Sequence, residues 1–424
     1  MNATVILALL ILIGFGVPIA TSLALAAIYG IDQFTRLPMI LVAQRMFAGI
    51  DSFPLMAIPL FIFAGNLMAA GGISARLVEF ARALVGQVQG GLAASCVVTC
   101  MIFAAVSGSS VATTFAIGAI LIPAMVKNGY PKPKAAAIQA TSAELGVLIP
   151  PSIPLILYGV ATDTSIGQLF IAGFGPGLLV AFALTTFLLI YCRVYNIGNE
   201  ASEPRIPLGP AALKASAALV MPVIVVGGIY GGVFTPTEAS AVAVAYALLV
   251  GTVIYRELTL PAFIRVLRET AIATAVVMLI IAAAALFSFV ITRMGLPAMA
   301  TGWVRATFTD AFTFLLAVNL FLFVVGMFIE TAAAILVLAP ILAPMAVAFG
   351  VDPVHFGLIM VINLATGMIT PPVGVNLFAA CTVAKLPIER IIPPLLPLFA
   401  VMIACVFLVT YIPAISIGLR DLLY

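Results

Sequence analysis

The chain has 424 residues, 64% of them hydrophobic and 8% charged, with a mean hydropathy of +1.30 and a formal net charge of +3. A soluble globular domain carries about 25% charged residues, so this composition specifies an all-α polytopic membrane protein with little room for a soluble domain. No basic run points to nucleic acid, and isolated charges at bilayer depth leave no constellation for a membrane enzyme.

Apolar runs of about 17–25 residues can cross a bilayer, and such runs lie at 4–29, 53–70, 169–192, 215–234, 238–255, 270–292 and 393–412. The first lacks a basic leader and a small-residue cleavage site, and reads as a retained helix rather than a signal peptide. Segments 31–50, 73–90, 256–269 and 296–308 carry Arg or Asp/Glu at helical spacing and read as interfacial amphipathic helices or arms, with the crossing of 31–50 left open. Two long apolar stretches, 92–126 and 311–349, are interrupted by SGSSVATT (107–114) and GMFIETAA (326–333). Two others, 134–161 and 354–384, are interrupted by GVLIPPS (146–152) and GMITPPVGVN (367–376). The five cysteines lie in or beside apolar runs and read as packing. The sole histidine, His355, follows a loop and reads as a capping or surface group.

The interruptions repeat. Pro123 and Pro344, the pairs Pro150-Pro151 and Pro371-Pro372, Gly129 and Gly350, Gly146 and Gly367, and Pro176 and Pro397 all stand 221 residues apart. A duplication on this scale in an apolar chain marks a secondary transporter. The first repeat covers 1–200: scaffold helices and an arm over about 1–90, a re-entrant hairpin at 92–126, a broken helix at 134–161 and a helix at 169–192. Residues 201–214 form a cytoplasmic linker. The second repeat covers 215–424: scaffold and arm at 215–308, hairpin at 311–349, broken helix at 354–384 and a helix at 393–412. Basic residues set the orientation. Placing Lys127, Lys132 and Lys134 inside puts Arg193, Arg205, Lys214, Arg256, Arg265, Arg268, Lys385 and Arg390 inside as well. The two broken helices then run in opposite directions, so the duplication is inverted.

Irregular backbone survives in hydrocarbon only when buried in protein or lining a cavity, so four breaks at matched positions imply one internal site. Ser107, Ser109, Ser110 and Thr113 supply hydroxyls at the first tip, and the breaks supply carbonyls near Gly146–Leu148 and Gly367–Ile369. Hydroxyl and carbonyl oxygens without a carboxylate cluster suit a hard monovalent cation, sodium above all. Helix N-termini at the same tips favour an anionic substrate. Glu330, at the second tip, is placed to bind cation, accept a proton or hydrogen-bond a substrate hydroxyl. Arg293 is either a snorkelling anchor or a clamp on a substrate carboxylate. Asn376, just after the second break, and Ser165 complete the candidate substrate contacts.

The blocks LMAIPLFIFAGNLMAAGG (55–72), SGSSVATT, GVLIPPSIPLILYG, GGIYGGVFTPTEAS (227–240) and GMITPPVGVNLF resemble the large, DctM-type membrane subunit of tripartite ATP-independent periplasmic (TRAP) transporters, over essentially the whole chain. The resemblance implies sodium-coupled import of a small organic acid (a C4-dicarboxylate, sialic acid or another sugar acid) across the bacterial inner membrane. It also implies an elevator fold of the ion-transporter superfamily, in which a scaffold holds a mobile unit of two hairpins and two broken helices. Two partners follow: a small four-helix membrane subunit (DctQ type) and a periplasmic substrate-binding protein (DctP type). The first sodium site would use Ser107, Ser109 and Ser110 with backbone near Gly146, Val147 and Pro150. The second would use Gly326 and Thr331 with backbone near Gly367, Met368 and Thr370. A binding-protein-independent sodium/divalent-anion symporter of the same superfamily is the alternative, with a channel behind it.

Overall fold

The computed structural model describes residues 2–85, 88–198 and 206–423, and all its regular elements are helical. Eight of these helices are long and apolar enough to cross a membrane, or up to nine if Lys132–Leu148 and Ile153–Thr162, bent by 41° at their junction, count as one span. Large side chains such as Phe182, Leu213, Val223 and Leu396 face outward along them, the surface that lipid wets.

Both halves lay down the same order of elements. A helix pair comes first, Asn2–Gly14 with Ile19–Phe34 and Leu208–Tyr230 with Pro236–Leu249. A scaffold span follows (Ile40–Ile50 with Ala57–Ala70; Leu260–Arg293), then a short arm (Ile73–Val85; Leu296–Thr307). Next come the hairpins, Gly91–Ser107 with Ser110–Lys127 and Ala311–Gly326 with Thr331–Ala348. The broken helices are Lys132–Leu148 with Ile153–Thr162 and Pro353–Met368 with Val375–Ala384, and Ile166–Val194 and Ile388–Tyr411 close the two halves.

Three boundaries differ from the sequence reading. The run at 4–29 is two helices, because Gly16 (φ 77) and Pro18 turn the chain between them. The stretch 256–269 is no separate amphipathic segment, since residues 260–269 open the 34-residue helix Leu260–Arg293. Its counterpart in the first half is cut into Ile40–Ile50 and Ala57–Ala70 by Asp51, Ser52, Phe53 and Pro54, where the second half has Ile272, Ala273, Thr274 and Ala275. The linker at 201–214 is shorter than expected: residues 208–214 already belong to Leu208–Tyr230, and 201–205, with Arg205, lie outside the described residues.

The scaffold is built where Leu260–Arg293 packs along Ile19–Phe34, Ile40–Ile50 and Ala57–Ala70, while Pro236–Leu249 packs on Ala57–Ala70. The hairpins and broken helices exchange partners. Ser110–Lys127 packs on Val375–Ala384, and Thr331–Ala348 packs on Ile153–Thr162. Each of these contacts maps onto the other when 221 is added to the residue numbers of one partner and subtracted from those of the other, the reciprocity of a self-complementary interface. Buried polar groups tie each hairpin to its own broken helix. Cys96 donates to Gln139 Oε1 at 3.0 Å in the first half, and Asn363 Nδ2 donates to Asn319 Oδ1 at 2.6 Å in the second. His355 is buried rather than at the surface, with Nε2 3.2 Å from the Thr410 carbonyl.

The C-terminal helix Pro413–Leu423 is fastened at one of these corners. Arg420 Nη1 donates to both oxygens of Asp352 at 2.9 and 2.8 Å, and Asp352 Oδ1 accepts from the Val354 and His355 amides. Burial pushes the Asp352 carboxyl up, but Arg420 and the two amides outweigh it and hold the group below its ordinary value. A depressed carboxylate stabilises the fold above its unfolded value of about 4 and loses that contribution as pH falls through the lower folded value. The purified protein is therefore expected to melt earlier as pH drops below about 4, with Asp352→Asn flatter over that range and less stable at neutral pH by about 1 kcal/mol. Thermal scans across pH measure this.

Candidate functional site

The first hairpin tip follows from three residues. Gly108 ends Gly91–Ser107 at φ 61, a left-handed turn that costs glycine nothing. A Cβ there would also stand 2.9 Å from the Pro151 carbonyl oxygen. Ser109 is extended and caps the next helix, its Oγ accepting from the Ala112 amide at 3.3 Å. Ser107 Oγ and Thr113 Oγ1 are 3.1 Å apart, both buried.

The first break lies beneath this tip. Ile149, pushed out of helical geometry by the following proline, is extended at ψ 127. Pro150-Pro151 and Pro371-Pro372 are both cis. Ser152 restarts the helix by capping Leu155, and its hydroxyl donates to the Val147 carbonyl at 2.6 Å. The Ile153 amide donates to the Gly108 carbonyl at 3.2 Å, bonding tip to break. In the second half Gly374, 221 residues on, donates its amide to Met327 at the other tip at 3.1 Å. There the turn runs over residues 327–330, two residues longer than at the first tip, and Glu330 is the cap. Its Oε2 accepts from Ala332 and Ala333 at 3.0 and 3.3 Å.

A cavity of about 300 Å³ joins these parts. Ser107, Ser109, Ser110 and Val147 line it from the first half, Glu330 reaches it from the second tip, and Asn66 reaches it from the scaffold. Asn66 is held by donating to Thr270 Oγ1 at 3.0 Å. The cavity shares Gly65, Asn66, Ala112 and Phe115 with a wider cleft of about 760 Å³ that carries Arg265 and Glu269 at its rim.

The structure thus brings together most of the residues expected at the first sodium site. Gly146 packs directly under the tip, where a Cβ would stand 2.7 Å from the Ser109 carbonyl oxygen. Pro150 does not line the cavity and sits against Gly173. The second set forms its own cluster. Gly367 abuts Gly326, Thr331 Oγ1 lies 2.8 Å from Met368 Sδ, and Thr370 Oγ1 donates to the Thr366 carbonyl at 2.9 Å.

Three expected substrate contacts lie elsewhere. Arg293 is exposed at the end of its helix and lines none of this cavity. A long cationic side chain closing an apolar helix extends to the polar boundary, not into the bundle. Ser165 caps Ile166–Val194 by accepting from Gln168 and lines a separate cleft with Ser52 and Thr235. Asn376 is wholly buried and donates to Glu144 Oε1 at 2.6 Å. Sequence reasoning missed Glu144 altogether. The only signal available was a lone carboxylate inside AAAIQATSAELGVLIPP, a stretch too weakly apolar to mark it as buried.

Comparison with known proteins agrees in scope with this arrangement. The family described as "Tripartite ATP-independent periplasmic transporter, DctM component" matches residues 5–415. A C4-dicarboxylate TRAP transporter large permease protein DctM of Rhodobacter capsulatus is 41% identical over the full length of both chains. The sialic acid TRAP transporter large permease protein SiaM of Vibrio cholerae is 37% identical, over 96% of this chain and 95% of its own. The isethionate TRAP transporter permease protein DctMQ of Oleidesulfovibrio alaskensis is 46% identical over 94% of this chain, which spans 63% of that longer relative. Among solved structures, the Alcanivorax borkumensis YdaH transporter has a similar fold, with a TM-score of 0.66 at 17% identity and coverage of 91% of this chain and 90% of its own. The chain is a multi-pass membrane transporter subunit, not an enzyme, and belongs to the DctM component family of tripartite ATP-independent periplasmic transporters.

Proposed function

We propose that this protein carries out sodium-coupled import of a small organic acid across the bacterial inner membrane. The hairpins and broken helices move as one unit against the scaffold. The observation that carries the reading is the meeting of both tips and two scaffold helices, Ala57–Ala70 and Leu260–Arg293, at a single cavity that opens into a cleft. Its lining offers hydroxyls, the Asn66 amide, the Glu330 carboxylate engaged by two backbone amides and the start of the helix capped by Ser109, with no Lys or Arg. An anion is then held by amide dipoles and bound sodium rather than by a guanidinium. The two halves run in opposite senses, as the basic residues require.

The relatives' names cover C4-dicarboxylate, sialic acid and isethionate, which supports an organic anion as the cargo. A small four-helix membrane subunit and a periplasmic binding protein complete the transporter. Each Na+ moved down 100 mV contributes about 2.3 kcal/mol and each negative charge of the cargo costs the same, so the potential adds to the sodium gradient only through sodium ions in excess of the anion's charge.

The test is uptake into proteoliposomes that contain this chain with its small subunit. Uptake is expected to require both a sodium gradient and the loaded binding protein. Ser109→Ala is expected to raise the half-saturating sodium concentration severalfold, since it removes a hydroxyl and the helix cap, itself worth about 1 kcal/mol. Uptake without sodium sinks the coupling, and full uptake without the binding protein favours the solitary symporter.

A further inference from the structure

Behind the first tip the two halves share a buried acid. Glu144 is wholly buried one turn before the first half of the broken helix ends, two residues before Gly146. Its Oε1 accepts from Asn376 of the other broken helix at 2.6 Å, whereas its Oε2 has no hydrogen-bond partner. The neighbouring Ser142 hydroxyl is buried and unpartnered as well. Among the described residues no Lys, Arg or His pairs with Glu144, and the ion pairs present lie elsewhere, at Arg76, Lys214 and Arg420. A polar path leads from this carboxylate to the tip. Asn376 Oδ1 lies 3.4 Å from Thr114 Oγ1, which lies 3.0 Å from the Ser110 carbonyl oxygen.

A buried carboxylate with a single neutral donor and no cation is costly. The first tip and break, meanwhile, offer only neutral oxygens for a positively charged ion, and Glu330, the carboxylate that shares the cavity, is engaged by the Ala332 and Ala333 amides of its own tip. We infer that Glu144 is the fixed counter-charge of the first cation site: a monovalent cation held by the tip and the break compensates its carboxylate, and Asn376 holds that carboxylate in place. The inference rests on the sodium reading above and adds to it. Sodium binding then fastens the first repeat to the second, because the acid lies on one broken helix and its amide donor on the other.

Glu144→Gln is the informative variant, because glutamine keeps an acceptor for Asn376 and removes only the charge. The complex with the small subunit is purified and melted in NaCl and in KCl, and its uptake is titrated with sodium. The wild type is expected to melt several degrees higher in NaCl. Glu144→Gln is expected to melt higher than the wild type in KCl, to lose the sodium increment, and to need about tenfold more sodium for half-maximal uptake. Adding Asn376→Asp to Glu144→Gln returns a carboxylate across the same contact and is expected to restore the sodium increment. A sodium increment of wild-type size in Glu144→Gln overturns the inference and leaves sodium coupling standing. A wild type that melts alike in both salts overturns both. If Glu144→Gln does not accumulate, Glu144→Asp decides, since it keeps the charge and is expected to retain the sodium increment.

Discussion

Alanine at Gly146 or Gly367 is expected to reduce uptake to less than about one-tenth of wild type while the scaffold still folds. At Gly367 the new methyl carbon would stand 2.5 Å from Gly326 Cα and 2.6 Å from its carbonyl carbon. At Gly146 it would stand 2.7 Å from the Ser109 carbonyl oxygen and 2.8 Å from the Ser109 carbonyl carbon. All four are backbone atoms, so no side chain can rotate away. Overpacking of this kind costs about 1–3 kcal/mol or more, and relief requires the tip itself to move. The loss therefore falls on transport before it falls on stability. Gly209→Ala and Gly302→Ala are the matched controls, because a methyl group at either meets nothing within 4 Å. Uptake and melting temperature measured together distinguish the cases. Normal uptake by both Gly146→Ala and Gly367→Ala would show that the tips do not form the ion sites.

The second large effect is expected at Glu330. Its Oε2 is engaged by the Ala332 and Ala333 amides while the side chain lines the cavity beside Asn66 and Ser109. Glu330→Ala removes the helix cap, worth about 1 kcal/mol, together with the carboxylate that the second tip contributes to the cavity. Uptake is expected to fall by about tenfold or more, with apparent sodium affinity falling alongside. Glu330→Gln preserves an acceptor for the two amides and is expected to keep stability while losing uptake, which isolates the charge. Arg293→Ala serves as the comparison. Exposed and outside the cavity, it is expected to leave substrate affinity within about twofold of wild type. A tenfold loss of substrate affinity in Arg293→Ala, with Glu330→Gln normal, would reverse the assignment of the two charges.

The first tip was legible because SGS spells its own geometry: a helix end, a left-handed glycine and a capping serine. The breaks were legible for a similar reason, since consecutive prolines cannot continue a helix. Whether Arg293 is an anchor or a clamp, and what Asn376 meets, stayed open because sequence gives the depth of a residue along a helix but not the face it presents. Glu144 was missed because its neighbours Gln139, Thr141 and Ser142 make the segment look surface-like. Each of them is buried by helices from elsewhere in the chain.

By itself the sequence determined the membrane class, the 221-residue duplication, the four breaks and the family. These are properties of local backbone chemistry and of residue spacing, which do not depend on what lies next door. Only the tertiary structure decided that Ser110–Lys127 packs on Val375–Ala384, that Glu330 and Ser109 share one cavity with Asn66, and that Glu144 meets Asn376 across 232 positions. Such pairings are set by how whole helical faces fit together. A lone polar residue in an apolar helix acquires its role only from the face opposite.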